Sequence, residues 1–147
     1  MSDKKPKIGV VGAGHLGRHH IKHLSKHSDV EFVGVFDVNK ESLKNICSEF
    51  SVDPIENLEN LIDSCDGVHI VTPTNTHFDI AKKFLENKKD VFVEKPMTNT
   101  VDEALSLVSL AKKHEMIIQV GHIERFNPTI NKLKELVDNP HYIEIER

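Results

Sequence analysis

The segment Lys7–Val11, K-I-G-V-V, runs straight into Gly12-Ala13-Gly14-His15-Leu16-Gly17, which opens an amphipathic stretch. A G-x-G-x-x-G pattern alone is weak evidence. Between a β-rich run and a helical one it specifies a strand, a tight turn and a helix N-terminus. In that context Gly12 allows the turn, Gly14 lets a ligand approach the backbone, and Gly17 lets helix and strand pack closely. The helix start, with its unsatisfied N–H groups and positive dipole end, suits a diphosphate held by the turn that includes His15 and Leu16.

The rest of the chain repeats the alternation. Strands are expected at residues 7–11, 30–36, 52–55 (weak), 67–71, 91–93 and 116–120, and helices at 15–27, 40–50, 58–64, 76–87 and 101–114. The inner faces are expected from Leu16, His20 or Ile21, and Leu24; from Leu43, Ile46 and Phe50; from Phe78, Ala81, Phe84 and Leu85; and from Ala104, Leu105, Val108, Leu110 and Ala111. Continuous Val/Ile runs joined by helical crossovers specify a parallel sheet covered on both faces. Six such strands fit the doubly wound Rossmann order 3-2-1-4-5-6, an α/β fold that binds dinucleotides.

Beyond residue 122 the pattern changes. A helix is expected over 128–137, and residues 141–147, H-Y-I-E-I-E-R, alternate as a half-exposed strand. Such a strand needs a different, antiparallel sheet. The expected division is therefore a dinucleotide-binding domain at 1–122. Residues 123–147 would be a linker helix and the truncated start of a second α/β domain that handles substrate.

Asp37 stands 20 residues after Gly17, where a carboxylate accepts hydrogen bonds from the adenosine ribose. It also opposes a 2′-phosphate, because like charges about 4 Å apart cost on the order of 4 kcal/mol at an effective dielectric near 20. No arginine follows it, so NAD is favoured over NADP; Lys40 keeps dual use open. A capping role is the plain alternative for Asp37. The loop Thr72-Pro73-Thr74-Asn75-Thr76-His77 follows a strand end and so faces the cofactor crevice, with Asn75 reading equally well as a helix N-cap. Glu94-Lys95-Pro96 closes the next strand. A lysine there can bond a substrate oxygen and stabilise alkoxide charge, whereas a lone lysine at a strand end is by default a solvated one.

Together the glycine turn, T-P-T-N-T-H, E-K-P and G-H-I-E-R-F-N-P resemble the Gfo/Idh/MocA oxidoreductases (glucose-fructose oxidoreductase, inositol dehydrogenase and relatives). The resemblance implies an NAD(P)-dependent dehydrogenase acting on a sugar, nucleotide sugar or cyclitol. The octapeptide leans towards nucleotide sugars. It further implies Lys95 as the catalytic lysine, Pro96 after a cis peptide bond, and contacts from Thr72, Pro73, Thr74, Asn75, His77, Glu94 and Pro96. Gly121, His122, Arg125 and Asn127 would lie near the nicotinamide and substrate. Many members carry a D-x-x-x-H acid/base pair in a second domain, which this chain lacks, so it reads as an N-terminal half of low activity alone. Homo-oligomers are expected only with that second domain. A stand-alone dinucleotide sensor or scaffold is the alternative.

A net charge of −4, with both signs interspersed, gives no reason to expect nucleic acid or a membrane surface as partner. Two unpaired cysteines and an N-terminus without an apolar leader fit a cytoplasmic protein. His19, His23 and His27, at i, i+4 and i+8, have zinc-like spacing but no completing carboxylate or thiolate; they read as a solvated face, and no metal is expected. The single tyrosine, Tyr142, has Glu146 four residues on, which excludes Y-x-x-x-K chemistry.

Overall fold

The computed structural model of the chain describes residues 4–142 and 144. Five strands, β1 (Lys7–Val11), β2 (Glu31–Phe36), β3 (Gly67–Ile70), β4 (Asp90–Val93) and β5 (Ile118–Val120), form one parallel sheet in the order β2-β1-β3-β4-β5. The helices are α1 (His15–Leu24), α2 (Lys40–Phe50), α3 (Leu58–Ser64), α4 (His77–Glu86), α5 (Val101–His114) and α6 (Pro128–Leu136), with 3₁₀ turns at Thr74–Thr76 and Ile123–Phe126.

Strand order reverses at β1, so a crevice opens between the carboxyl ends of β1 and β3. Side chains alternate across the sheet, placing Val10 in one core with Ile21, Val35, Leu43 and Ile46 of the α1–α2 face. Val11 joins the other core, with Leu61, Phe84, Leu85 and Leu107 of the α3–α5 face. The α3–α5 face is packed along β1, β3 and β4, whereas on the α1–α2 face only β1 and β2 are covered: there His69 and Phe92 are half-buried and Gln119 is exposed.

The expected third strand at 52–55 is corrected to a single parallel bridge between Val35 and Pro54. It lies outside β2, where that strand was expected. There Val35 N–H donates to Asp53 O at 3.1 Å and Ile55 N–H to Val35 O at 2.7 Å. Pro54 has no N–H to continue a ladder. Gly34 has φ +137, and a Cβ there would come within 2.6 Å of Asp53 O, so β2 twists out of register at this point.

Local chemistry sets several helix ends. Asn39 caps α2 through Glu41 and Ser42 N–H, and Thr100 with Glu103 forms a capping box on α5. Two expected core residues are corrected: Leu16 and Leu105 are exposed. On α5 the inward line runs through Leu107 and Ala111, and Leu105 lies two residues, or about 200°, away from it. Leu107→Ala is expected to cost about 2–5 kcal/mol, against about 0.5 kcal/mol or less for Leu105→Ala, measured by urea unfolding. The expected strand at 141–147 falls largely outside the described residues; His141, Tyr142 and Glu144 are described and belong to no strand.

Candidate functional site

The glycine turn leaves β1 with Gly12 N–H donating to Phe36 O at 2.9 Å. Gly12 has φ +111, and a Cβ there would come within 2.5 Å of Val71 O. A Cβ on Gly17 would sit 2.1 Å from Gly12 O, so the first turn of α1 rests directly on the preceding loop. Around Gly14 there is open space: a Cβ would meet nothing within 4 Å. The amides of Gly14, His15, Leu16 and Gly17 have no hydrogen-bond partner among the described residues, and α1 has no side-chain cap and no acid in its first turn. By contrast α2, α3, α5 and α6 are each capped by a side chain. Bare N–H groups at the positive end of a helix, beside an unfilled position, can hold an anion.

Ala13 is not one of the free amides, because it donates to Asp37 Oδ2 at 2.6 Å. The other oxygen, Oδ1, accepts from Asn39 N–H at 2.7 Å. Asp37 thus braces the turn from the end of β2 while remaining half-exposed. It does not cap α2; Asn39 does. The Lys40 ammonium lies 5.9 Å from the Phe36 ring centroid.

In the loop after β3, Thr76 Oγ1 lies 2.7 Å from Thr72 Oγ1 and 2.7 Å from Pro73 O. Asn75 is exposed and caps no helix. His77 is only 1% exposed, with Nδ1 2.9 Å from Pro96 O and Nε2 2.9 Å from Thr72 O. Both neighbours are carbonyl acceptors, of which a neutral imidazole can donate to one, and the ring bridges the β3 loop to the β4 loop.

Lys95 is exposed at the end of β4, its side chain makes no ion pair among the described residues, and the Lys95–Pro96 peptide is cis. Beneath it Glu94 is 7% exposed. Its Oε2 accepts from Lys95 N–H at 3.1 Å, and Oε1 lies 3.2 Å from His20 Nε2. A Cβ on Gly121 would approach Glu94 Oε1 to 2.9 Å. Both Glu94 oxygens are thus engaged inside the protein.

Two histidines lie below this turn; the sequence offered His20 only as an alternative inner-face residue of α1 and gave His69 no role. His20 Nδ1 lies 3.0 Å from His69 Nδ1, and His69 stacks on Phe92 at 4.5 Å. A histidine inside the apolar run G-V-H-I-V was the available signal. Burial, aided by neighbouring His20, holds the His69 imidazole well below its ordinary value, at about 4, and burial lowers His20 against the pull of Glu94. A group lowered on folding takes up its proton first in the unfolded chain, so its stabilisation is complete above about pH 6.5 and fades as pH falls towards 4. We expect about 2 kcal/mol of stability to disappear between pH 7 and pH 5, above the ordinary carboxylate range. Urea unfolding across those pH values should show that loss, and His69→Val should flatten it.

Past β5, His122 and Arg125 are exposed. Asn127 is committed to α6: its Oδ1 accepts from Thr129 N–H at 2.9 Å and its Nδ2 donates to Glu124 Oε2 at 2.8 Å. His19, His23 and His27 are exposed at the rim of a cavity of about 190 Å³ that also touches His20, Leu24 and His69. A larger apolar cavity of about 630 Å³ lies away from the glycine turn, between α6 and residues including Pro140 and Tyr142. The structure thus gathers the glycine turn, Asp37, the 72–76 loop and Lys95 at the carboxyl ends of β1 to β4.

Residues 6–122 match the model of an oxidoreductase family described as an NAD-binding Rossmann fold. The chain is 34% identical over 142 residues to UDP-N-acetylglucosamine 3-dehydrogenase of Acidithiobacillus ferrooxidans, covering 96% of the chain and 45% of that protein. It is 36% identical over 138 residues to scyllo-inositol 2-dehydrogenase (NAD(+)) of Bacillus subtilis, covering 90% and 40%. Among solved structures, the Acidithiobacillus enzyme superposes with a TM-score of 0.84 at 32% identity over 90% of this chain and 43% of that one. A dehydrogenase from Clostridium difficile gives 0.86 at 32% identity over 92% and 45%. The chain spans less than half the length of these relatives.

Proposed function

The chain belongs to the Gfo/Idh/MocA oxidoreductase family, and on that premise we propose that it is the nicotinamide-dinucleotide-binding half of a dehydrogenase for a ring alcohol. Its substrate class would be a sugar, nucleotide sugar or cyclitol. The observation that carries this reading is the set of four unpartnered amides, Gly14 to Gly17, beside an open position on Gly14.

Gly14, His15, Leu16 and Gly17 would hold the diphosphate, and Asp37 the adenosine ribose, favouring NAD over NADP. Thr72, Pro73, Thr74 and Asn75 would line the crevice, with Pro96 shaping the turn. The bound dinucleotide would supply the hydride acceptor for alcohol oxidation as NAD and the hydride donor for carbonyl reduction as NADH. Lys95 donates a hydrogen bond to the substrate oxygen and stabilises its charge as the carbon changes oxidation state. His122 and Arg125 flank the substrate side.

Residues 1–122 form the cofactor domain in this reading, and 123–147 lead towards a substrate domain that would also bring oligomer contacts. The relatives support the substrate class: the names of the two above, and that of a Bacillus subtilis glucose-6-phosphate 3-dehydrogenase 32% identical over 133 residues, all specify oxidation at a ring position. We place the protein in the cytoplasm, on its two free, buried cysteines; no helix among the described residues is long and apolar enough to cross a membrane.

NADH fluorescence titration tests the cofactor reading, with NAD and NADP as competitors. The expected result is binding, with NAD at least about tenfold tighter than NADP. Deuterium transfer to NAD from labelled UDP-N-acetylglucosamine, glucose 6-phosphate or scyllo-inositol tests the enzyme. Folded full-length gene product that binds no dinucleotide would overturn the reading.

A further inference from the structure

We propose that His20 is a positioning residue for Lys95: carrying its proton on Nε2, it holds the Glu94 carboxylate that grips the Lys95 backbone, so the helix with the free amides and the lysine turn behave as one body. The inference rests on the role given to Lys95 above.

The linkage spans three elements far apart in sequence. His20 sits one turn into α1, His69 in the middle of β3, and Glu94 just beyond β4. His20 and Glu94 side chains are only 17% and 9% exposed, so their contact is screened little by water. The groups facing His20 are His69 from β3, Glu94 and Phe92 from the β4 side, and His19 and His23 on its own helix. His27, beyond the helix, lines the same cavity.

Proton counting fixes the arrangement. A carboxylate only accepts, so the 3.2 Å contact requires a proton on His20 Nε2. A neutral ring then has a bare Nδ1, and the 3.0 Å contact requires His69 to donate from its own Nδ1. The chain of donors runs from His69 to His20 to Glu94, while Lys95 N–H fills the second carboxylate oxygen at 3.1 Å. Every facing pair has one donor and one acceptor. The Gly121 backbone closes the remaining side, since even a Cβ would approach Glu94 Oε1 to 2.9 Å. The carboxylate is therefore held in a single orientation, and with it the peptide from which the lysine projects.

Glutamine can present an N–H close to the position of an imidazole Nε2; leucine cannot. In the full-length gene product, His20→Leu is expected to speed hydrogen exchange of the Lys95 amide more than about tenfold, with β4 amides unchanged, and His20→Gln to restore it. Hydride transfer should fall about tenfold in His20→Leu, NAD affinity should stay within about twofold, and His20→Gln should recover most of the rate. Selective ¹⁵N-histidine spectra at neutral pH should show His20 protonated on Nε2 and His69 on Nδ1. The proposal is overturned by unchanged Lys95 exchange, by faster exchange spread equally over β4, or by His20 protonated on Nδ1 alone. It is equally overturned by a rate that His20→Leu leaves untouched. If the wild-type protein transfers no hydride, the dehydrogenase reading fails instead; exchange and spectra still decide the linkage.

Discussion

Gly14→Val is expected to weaken NAD binding by at least about a hundredfold, or about 2.7 kcal/mol, while the melting temperature stays within about 2 °C of wild type. Gly14 has φ −76 and ψ −167, extended backbone open to any residue, and nothing stands within 4 Å of its missing Cβ. A branched side chain therefore fits the protein and fills the space assigned to the diphosphate. Gly17→Ala provides the contrast. Its methyl would meet the Gly12 carbonyl at 2.1 Å, a backbone atom that cannot swing aside. That variant is expected to lose binding and about 3 kcal/mol of stability together. Calorimetric titration with NAD, paired with thermal unfolding, separates the two. Wild-type affinity in folded Gly14→Val would mean that the diphosphate lies elsewhere.

Lys95→Met is expected to slow hydride transfer by about 10²–10³, the usual effect of deleting one donor to a developing oxyanion, with NAD affinity within about threefold of wild type. The side chain is exposed and makes no ion pair among the described residues, so its removal leaves no buried partner there. Lys95→Arg should restore little, because a planar fork cannot reproduce a point donor on a flexible stem. Single-turnover formation of NADH in the full-length gene product measures the step. A rate within about threefold of wild type would exclude Lys95 from the reacting atoms.

What the sequence revealed well was local. The bounds of α2, α3 and α5 match those expected from the chain's apolar pattern, and in the structure Asn39, Asn57 and Thr100 cap them. The glycine turn was legible because strand, turn and helix are adjacent in the chain. The lost third strand was not: a lone Pro54 and the twist at Gly34 decide it. Leu105 and Leu107 are chemically alike, and only packing against α4 and the sheet selects the second. Leu16 fits the inward spacing but falls in the first turn, which opens onto the crevice. What Glu94, His77 and His20 bond to was beyond reach for one shared reason. Their partners lie 74, 19 and 5, and 49 residues away, so a motif names the residue but not whether it faces ligand or protein.

The twofold engagement of Asp37 bears on how cofactor preference could drift. A lineage adapting to a phosphorylated dinucleotide would gain by shedding this negative charge. Yet the same carboxylate ties the Ala13 and Asn39 amides together. Swapping it for a smaller neutral residue would slacken the loop that the new ligand must also use. Selection would have to re-anchor that loop before, or along with, the change of taste, so a single-step switch at this position is closed.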